Sequence, residues 1–305
     1  MKHLTTFTKS LLRSLGALVL IAAASSVAST MAQSSITLIS GSGLGSRDAA
    51  NQFTLDKGLT WQDAYVTPMM PNYHRIMGTR YIGPTATGRG YPDQTIRYRT
   101  TFQLPAGFSN PSLLLDIHAD NAATIWLNGH LIGEQDQEEV ERNFQNPAEQ
   151  YRSTSAAQFV TGTNVLEFAI RNFLDPSGFD YMAIISYTPA PTQVGIDIKP
   201  GEYPNSINLG SNGVVAVAIL SSPSFDATQV DPLTVTLAGA SVALRGRGTP
   251  MVSQKDVNDD GLLDLVVHVE TEALELSEED AQATLLGQTY GGLHIIGTDS
   301  VRIVP

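Results

Sequence analysis

The chain contains no cysteine at all and only two tryptophans. Without thiols there is no disulfide framework, no thiolate metal site and no cysteine nucleophile, so stability must come from buried apolar area and from any bound ion. Basic residues are also scarce, with Lys+Arg 18 against Asp+Glu 30 and a net charge of −12. That balance argues against a nucleic-acid or anionic-membrane partner. Catalytic signatures are missing too. There is no His-Glu-x-x-His and no Gly-x-Ser-x-Gly. His74, His118, His130, His268 and His294 are scattered without ligand spacing. The run Gly41-Ser-Gly-Leu-Gly-Ser46 has the look of a phosphate loop, but no lysine follows it.

Long apolar runs are absent apart from one near the start. Lys2, Lys9 and Arg13 precede an apolar core from Leu15 to Ala24, and Thr30-Met31-Ala32 offers a cleavage point before Gln33. About ten apolar residues are too few to span a bilayer, so residues 1–32 are expected to be a signal peptide. Its removal leaves 15 basic against 30 acidic residues, a charge of −15. The mature protein is expected outside the cytoplasm, secreted or at the cell surface, with the periplasm as an alternative.

The most explicit motif is Asp256-Val-Asn-Asp-Asp-Gly-Leu-Leu-Asp264. Side-chain oxygens of Asp256, Asn258, Asp260 and Asp264 fall at positions one, three, five and nine, with the Leu262 carbonyl at seven. This is the order in which a loop wraps Ca²⁺. Gly261 sits where the loop must turn sharply. The twelfth position, a bidentate Glu in an EF-hand, is Val267, and alternation from Leu263 onward is that of a strand. The loop therefore resembles β-linked calcium loops of integrin-type repeats, and dockerin less closely. The cofactor expected is Ca²⁺, in a structural role at the about 10⁻⁴ to 10⁻³ M affinity of extracellular modules. Four carboxylates (Asp256, Asp259, Asp260, Asp264) crowd this loop, an arrangement that is unfavourable without a cation.

Elsewhere, short β-branched or alternating runs lie between Gly, Pro and Asn punctuation. Strands are predicted over 36–40, 96–104, 112–118, 122–127, 164–171 and 182–187. Asn128-Gly129 predicts a type I′ hairpin turn. The acid-rich stretch 134–149 is expected as a long exposed loop, and one helical turn is predicted near 278–283 with Ser277 as its cap. The fold class is all-β, a jelly-roll sandwich followed by a second small β-sandwich carrying the calcium loop. Residues 33–188 form the first unit, 189–193 a Pro-rich linker and 194–305 the second.

Two resemblances follow from particular words in the chain. Tyr98–Phe102, Leu113–His118, Ala119-Asp-Asn121, Ile125-Trp-Leu-Asn-Gly129, Gly162-Thr-Asn-Val-Leu-Glu-Phe168 and Arg171-Asn172 resemble galactose-binding-like jelly rolls of exported bacterial proteins. Val194-Gly-Ile-Asp-Ile-Lys-Pro-Gly201, Pro204-Asn-Ser-Ile-Asn208, Phe225-Asp-Ala-Thr228, Val230-Asp-Pro232 and the calcium loop resemble a small secreted bacterial module of no assigned activity. The first resemblance implies a sugar-binding, accessory or spacer role, and fold does not choose among these.

Sugars stack their C–H faces on flat rings while fixed polar groups meet their hydroxyls. Trp61, Tyr65, Tyr73 and Tyr81, with Arg75 and Arg80, are therefore the candidate ligand-binding residues; Tyr91, Asn72 and Arg89 lie in the same stretch. Equally, these aromatics could cover the sandwich edge and pack inward. Asp120-Asn121 reads as an Asx turn. No catalytic residue is expected. The partner expected is a glycan or cell-surface polymer, with an extracellular protein also possible. A structural or adhesive role in a matrix, envelope or filament is the alternative, and a glycosidase comes third.

Overall fold

The structure, a computed structural model, describes residues 33–42, 47–68, 70–138 and 142–305. The expected signal peptide, the latter part of the Gly41–Ser46 run, Met69, Glu139 and Glu141 lie outside the described residues.

The protein is all-β. Helix among the described residues is confined to four three-residue 3₁₀ turns, and no helix there is long and apolar enough to cross a membrane. The first sheet contains β1 (Ser34–Ile39), β2 (Arg47–Thr54), β3 (Gln62–Val66), β4 (Ile82–Gly83), β5 (Gln94–Leu104), β6 (Ser109–Asp120), β7 (Ala122–Leu127), β8 (His130–Glu134), β9 (Glu149–Ser153), β10 (Gly162–Asn172) and β11 (Gly178–Thr188). Their order is β8-β7-β10-β5-β2-β3-β4-β11-β6-β9, with β1 on β11.

Strict alternation explains why this sheet becomes a sandwich. Leu166, Phe168 and Ile170 on β10 are buried, whereas Val165, Glu167 and Ala169 are only half-buried. Successive residues point to opposite faces, so one face of each strand is apolar and must be covered. Cover comes from the far part of the same sheet. Phe168 on β10 lies 5.1 Å from Phe179 and 4.7 Å from Tyr181 on β11, and Tyr98 on β5 lies 4.8 Å from Phe179. Strands far apart in sheet order thus share one core. The predicted hairpin is present. Asn128 and Gly129 have φ of 49° and 81°, the two positive values a type I′ turn requires.

The remaining strands are β12 (Thr192–Gln193), β13 (Ile196–Ile198), β14 (Ser206–Asn208), β15 (Val214–Ile219), β16 (Val230–Leu237), β17 (Ala240–Ser241), β18 (Leu244–Arg245), β19 (Thr249–Pro250), β20 (Val252–Lys255), β21 (Asp264–Glu270), β22 (Gln282–Thr289), β23 (His294–Ser300) and β24 (Arg302–Val304). Sheets β12-β23-β22-β16-β17 and β13-β15-β21-β20 enclose a second core. Val215, Val217 and Ile219 pair opposite Val269, Val267 and Leu265, and all six are buried.

Two local expectations are corrected. No helical turn forms near 278–283: the Ser277 N–H and hydroxyl both donate to Asp280 Oδ2, at 2.7 and 2.9 Å, closing a tight turn, and β22 starts at Gln282. Stretch 134–149 is not wholly exposed either. Gln135 and Asn143 are buried. Gln135 accepts from Ala123 N–H through its side chain, and Asn143 donates to the Asn121 carbonyl. Polar composition suggested solvent, but these amides satisfy backbone groups that the sheet leaves unpaired.

Candidate ligand-binding cleft and the acidic loop

The segment between β3 and β4 is fixed from beneath by one buried carboxylate. Asp180, on β11, accepts from Ile76 N–H at 2.8 Å and from the Thr79 hydroxyl at 2.6 Å, and contacts His118 Nδ1 at 2.9 Å. His118 is itself buried on β6. His74 N–H donates to the Phe144 carbonyl at 2.8 Å, tying the segment to the loop before β9. These bonds bring Tyr73 over the end of β6. There its hydroxyl donates to Asp120 Oδ2, while its ring lies 4.5 Å from Phe144 and 5.0 Å from Tyr81.

The result is a cleft of ≈ 600 Å³ lined by, among others, Tyr73, Asp120, Arg142, Phe144, Phe173 and Asp175. Leu174, 75% exposed, stands at its mouth. Its floor is held by Asn121, whose N–H donates to the Arg171 carbonyl at 2.6 Å and whose Oδ1 accepts from Phe173 N–H at 2.8 Å. Aromatic walls and a few fixed polar groups are the usual makeup of a small-ligand site.

Asp120 is 4% exposed. Burial pushes its carboxyl up to about 7, against the opposing pull of the Tyr73 hydroxyl. Burial and then the Asp120 charge raise the Tyr73 phenol well above its ordinary value. A carboxyl so displaced inside a cleft marks a functional-site candidate.

Of the residues singled out from sequence, Tyr73 and its neighbour Asn72 line the cleft. Tyr81 lies behind it, 1% exposed, with its hydroxyl donating to the His74 carbonyl at 2.9 Å. Trp61 lies under the Arg99 guanidinium at 4.1 Å, and Tyr65 under that of Arg47 at 3.8 Å; neither lines the cleft. Arg75 and Arg80 are exposed and do not line it either. Asp120, Asn121, Arg142, Phe144, Phe173 and Asp175 were missed. Asp120 ends a strand and Asn121 bonds across to Phe173, so the expected local Asx turn is a long-range contact instead. The Asp-Asn pair itself was the available signal.

The acidic loop is held by its own backbone. Asp256 accepts from Asp260 N–H at 3.2 Å and Gly261 N–H at 2.9 Å; Asn258 Oδ1 accepts from Asp260 N–H at 3.2 Å; Asp260 Oδ1 accepts from Leu262 N–H at 2.8 Å. Gly261 has φ 86°. Asp264 is completely buried, its two oxygens accepting from Ser221 N–H at 2.8 Å and Val257 N–H at 2.9 Å. No group of three or more His, Cys, Asp or Glu poised for a metal occurs among the described residues. The set expected from the sequence adds an amide and a carbonyl to its carboxylates. Its all-oxygen chemistry suits a hard cation.

No family model and no curated protein matches the chain. Among solved structures it is similar to a Ruminococcus gnavus β-glucuronidase (12% identity, 89% of this chain and 44% of that one, TM-score 0.30). Others are a Dictyoglomus thermophilum β-D-glucuronidase (12%, 88% and 44%, 0.29) and a putative β-galactosidase from Bacteroides fragilis (13%, 88% and 40%, 0.29). The chain spans less than half the length of each. Scores this low carry no weight for the chemistry of the cleft.

Proposed function

We propose that this is an exported, non-catalytic protein that binds a carbohydrate or surface polymer in the Tyr73–Asp120 cleft of its first β-sandwich. The carrying observation is the cleft itself, ≈ 600 Å³ with Tyr73, Phe144 and Phe173 as walls and Asp120 and Asn121 at its base. Flat rings beside fixed hydrogen-bonding groups are what a sugar ring requires. In this reading residues 194–305 form a separate module tethering the binder, and Ca²⁺ held by Asp256, Asn258, Asp260, the Leu262 carbonyl and Asp264 stabilises it. The test is binding of the mature chain to a glycan array, repeated with Phe144→Ala. Retention of at least one glycan, lost in the variant, supports the proposal. Undiminished binding by the variant, or turnover of chromogenic glycosides, overturns it.

The structural or adhesive reading draws on the apolar side chains left exposed beyond residue 194, Tyr203, Leu233, Tyr290 and Leu293. Self-association of the mature chain in sedimentation experiments, without glycan retention, favours it.

A further inference from the structure

We infer that the ligand taken by the cleft carries a protonated amine, as an amino-sugar unit does; this rests on the cleft being the carbohydrate site. Asp120 is the deepest polar group there, and among the described residues no lysine, arginine or histidine forms an ion pair with it. Taking a carboxylate out of water without a counter-charge is costly, and a ligand that brings the counter-charge recovers that cost on binding.

The charged groups facing Asp120 from each surrounding element agree with this. From the β3–β4 segment come the Tyr73 hydroxyl and, behind it, the Tyr81 phenol, neither of them a cation; His118, two residues before Asp120 on β6, is taken up by Asp180 at 2.9 Å. From the β10–β11 loop comes Asp175, a second carboxylate, which accepts from Gly90 N–H at 3.0 Å. From the loop before β9 comes Arg142, which lines the cleft but is exposed. The neighbouring Arg171 is spent elsewhere, 2.7 Å from Asp93 and 4.6 Å from the Phe173 ring.

The walls point the same way. A cation over an aromatic face is attracted by the ring quadrupole. One face of Phe173 already holds a guanidinium, and Tyr73 and Phe144 add two more rings. A net charge of −12 draws cationic polymers toward the surface. A uronic or sulfated sugar would instead meet Asp120 and Asp175. A neutral sugar would leave Asp120 without a counter-charge.

The test is calorimetric titration of the full mature chain with chitosan oligosaccharide and with N-acetylated chitin oligosaccharide of equal length. The two differ in having a free amine or a neutral amide. The expected result is at least about tenfold tighter binding of the amine form, the scale of one charge-assisted hydrogen bond. Asp120→Asn, similar in shape and uncharged, should abolish that preference. Below pH 7 the amine form should also release a proton on binding, seen as a heat that varies with buffer ionisation enthalpy. If Asp120→Asn fails to fold, Asp175→Asn replaces it and should reduce the same preference. Equal binding of both oligosaccharides, or binding only of the acetylated one, overturns the amine inference and leaves the cleft as a carbohydrate site. Loss of neither ligand in Phe144→Ala overturns the cleft reading itself.

Discussion

The hydroxyl of Tyr73 donates to the carboxyl of Asp120 across a sequence separation of 47 residues. That one contact closes the base of the cleft and joins the β3–β4 segment to the end of β6. It also sets the surroundings in which Asp120 titrates.

Stability should therefore depend on pH through Asp120. Its folded-state value, about 7, lies above the ordinary 3.8, so the folded protein holds this proton more tightly than the unfolded chain. The stabilisation is fully present below about pH 4 and is lost as pH rises through about 7. About three units correspond to at most ~4 kcal/mol. Asp120→Asn should flatten this part of the stability curve, leaving the variant relatively more stable than the parent at pH 8 than at pH 4. Urea denaturation across that range measures it, and parallel curves would refute it.

Asp180 should be a positioning residue for the cleft. Asp180→Ala strands the Ile76 N–H and the buried His118 ring, and leaves the Thr79 hydroxyl with the Ile76 carbonyl as its remaining partner. Each unsatisfied buried group costs about 1–3 kcal/mol, so a loss of several kcal/mol is expected. Ligand affinity should fall too, because Tyr73 is no longer held. The milder Thr79→Val removes one of these bonds and should cost about 1 kcal/mol, with a smaller drop in affinity.

The acidic loop should separate into two classes of residue. Asp264→Ala removes acceptors for Ser221 and Val257 N–H from a fully buried position, so melting temperature should drop with or without calcium. Asp260 is exposed and bonds only within the loop. Asp260→Ala should lower the melting temperature in millimolar calcium far more than in chelator. Identical scans of the parent chain in calcium and chelator would remove calcium from the account.

The first core should depend on Phe179, fully buried and in ring contact with Tyr98, Phe168 and Tyr181. Phe179→Ala should cost about 3–5 kcal/mol. Phe179→Leu should cost much less, since most of the volume is retained.

Much of the architecture could be read from residue order, because strand formation and tight turns are local. Alternation along β10, the Asn128-Gly129 turn and the positive φ of Gly261 all express preferences of the residues themselves. Strands β2, β3 and β9 were not predicted: Arg47–Thr54 and Glu149–Ser153 carry too many polar residues to show an apolar period. The cleft was legible only at Asn72 and Tyr73. Trp61, Tyr65 and Tyr81 looked equivalent to Tyr73 in composition. Which ring faces a cavity, a guanidinium or the core depends on strands far away in the chain.

By itself, then, the order of residues determined an all-β chain, its hairpin and the turn of its acidic loop, since these follow from backbone preference and side-chain period. Only tertiary structure decided that Asp120 is buried beneath Tyr73, that Asp180 holds the segment above it, and that Phe144 and Phe173 line the same cleft. Burial and long-range hydrogen bonds exist only once distant strands have packed, and it is burial that turns an ordinary aspartate into the most unusual carboxyl of the site.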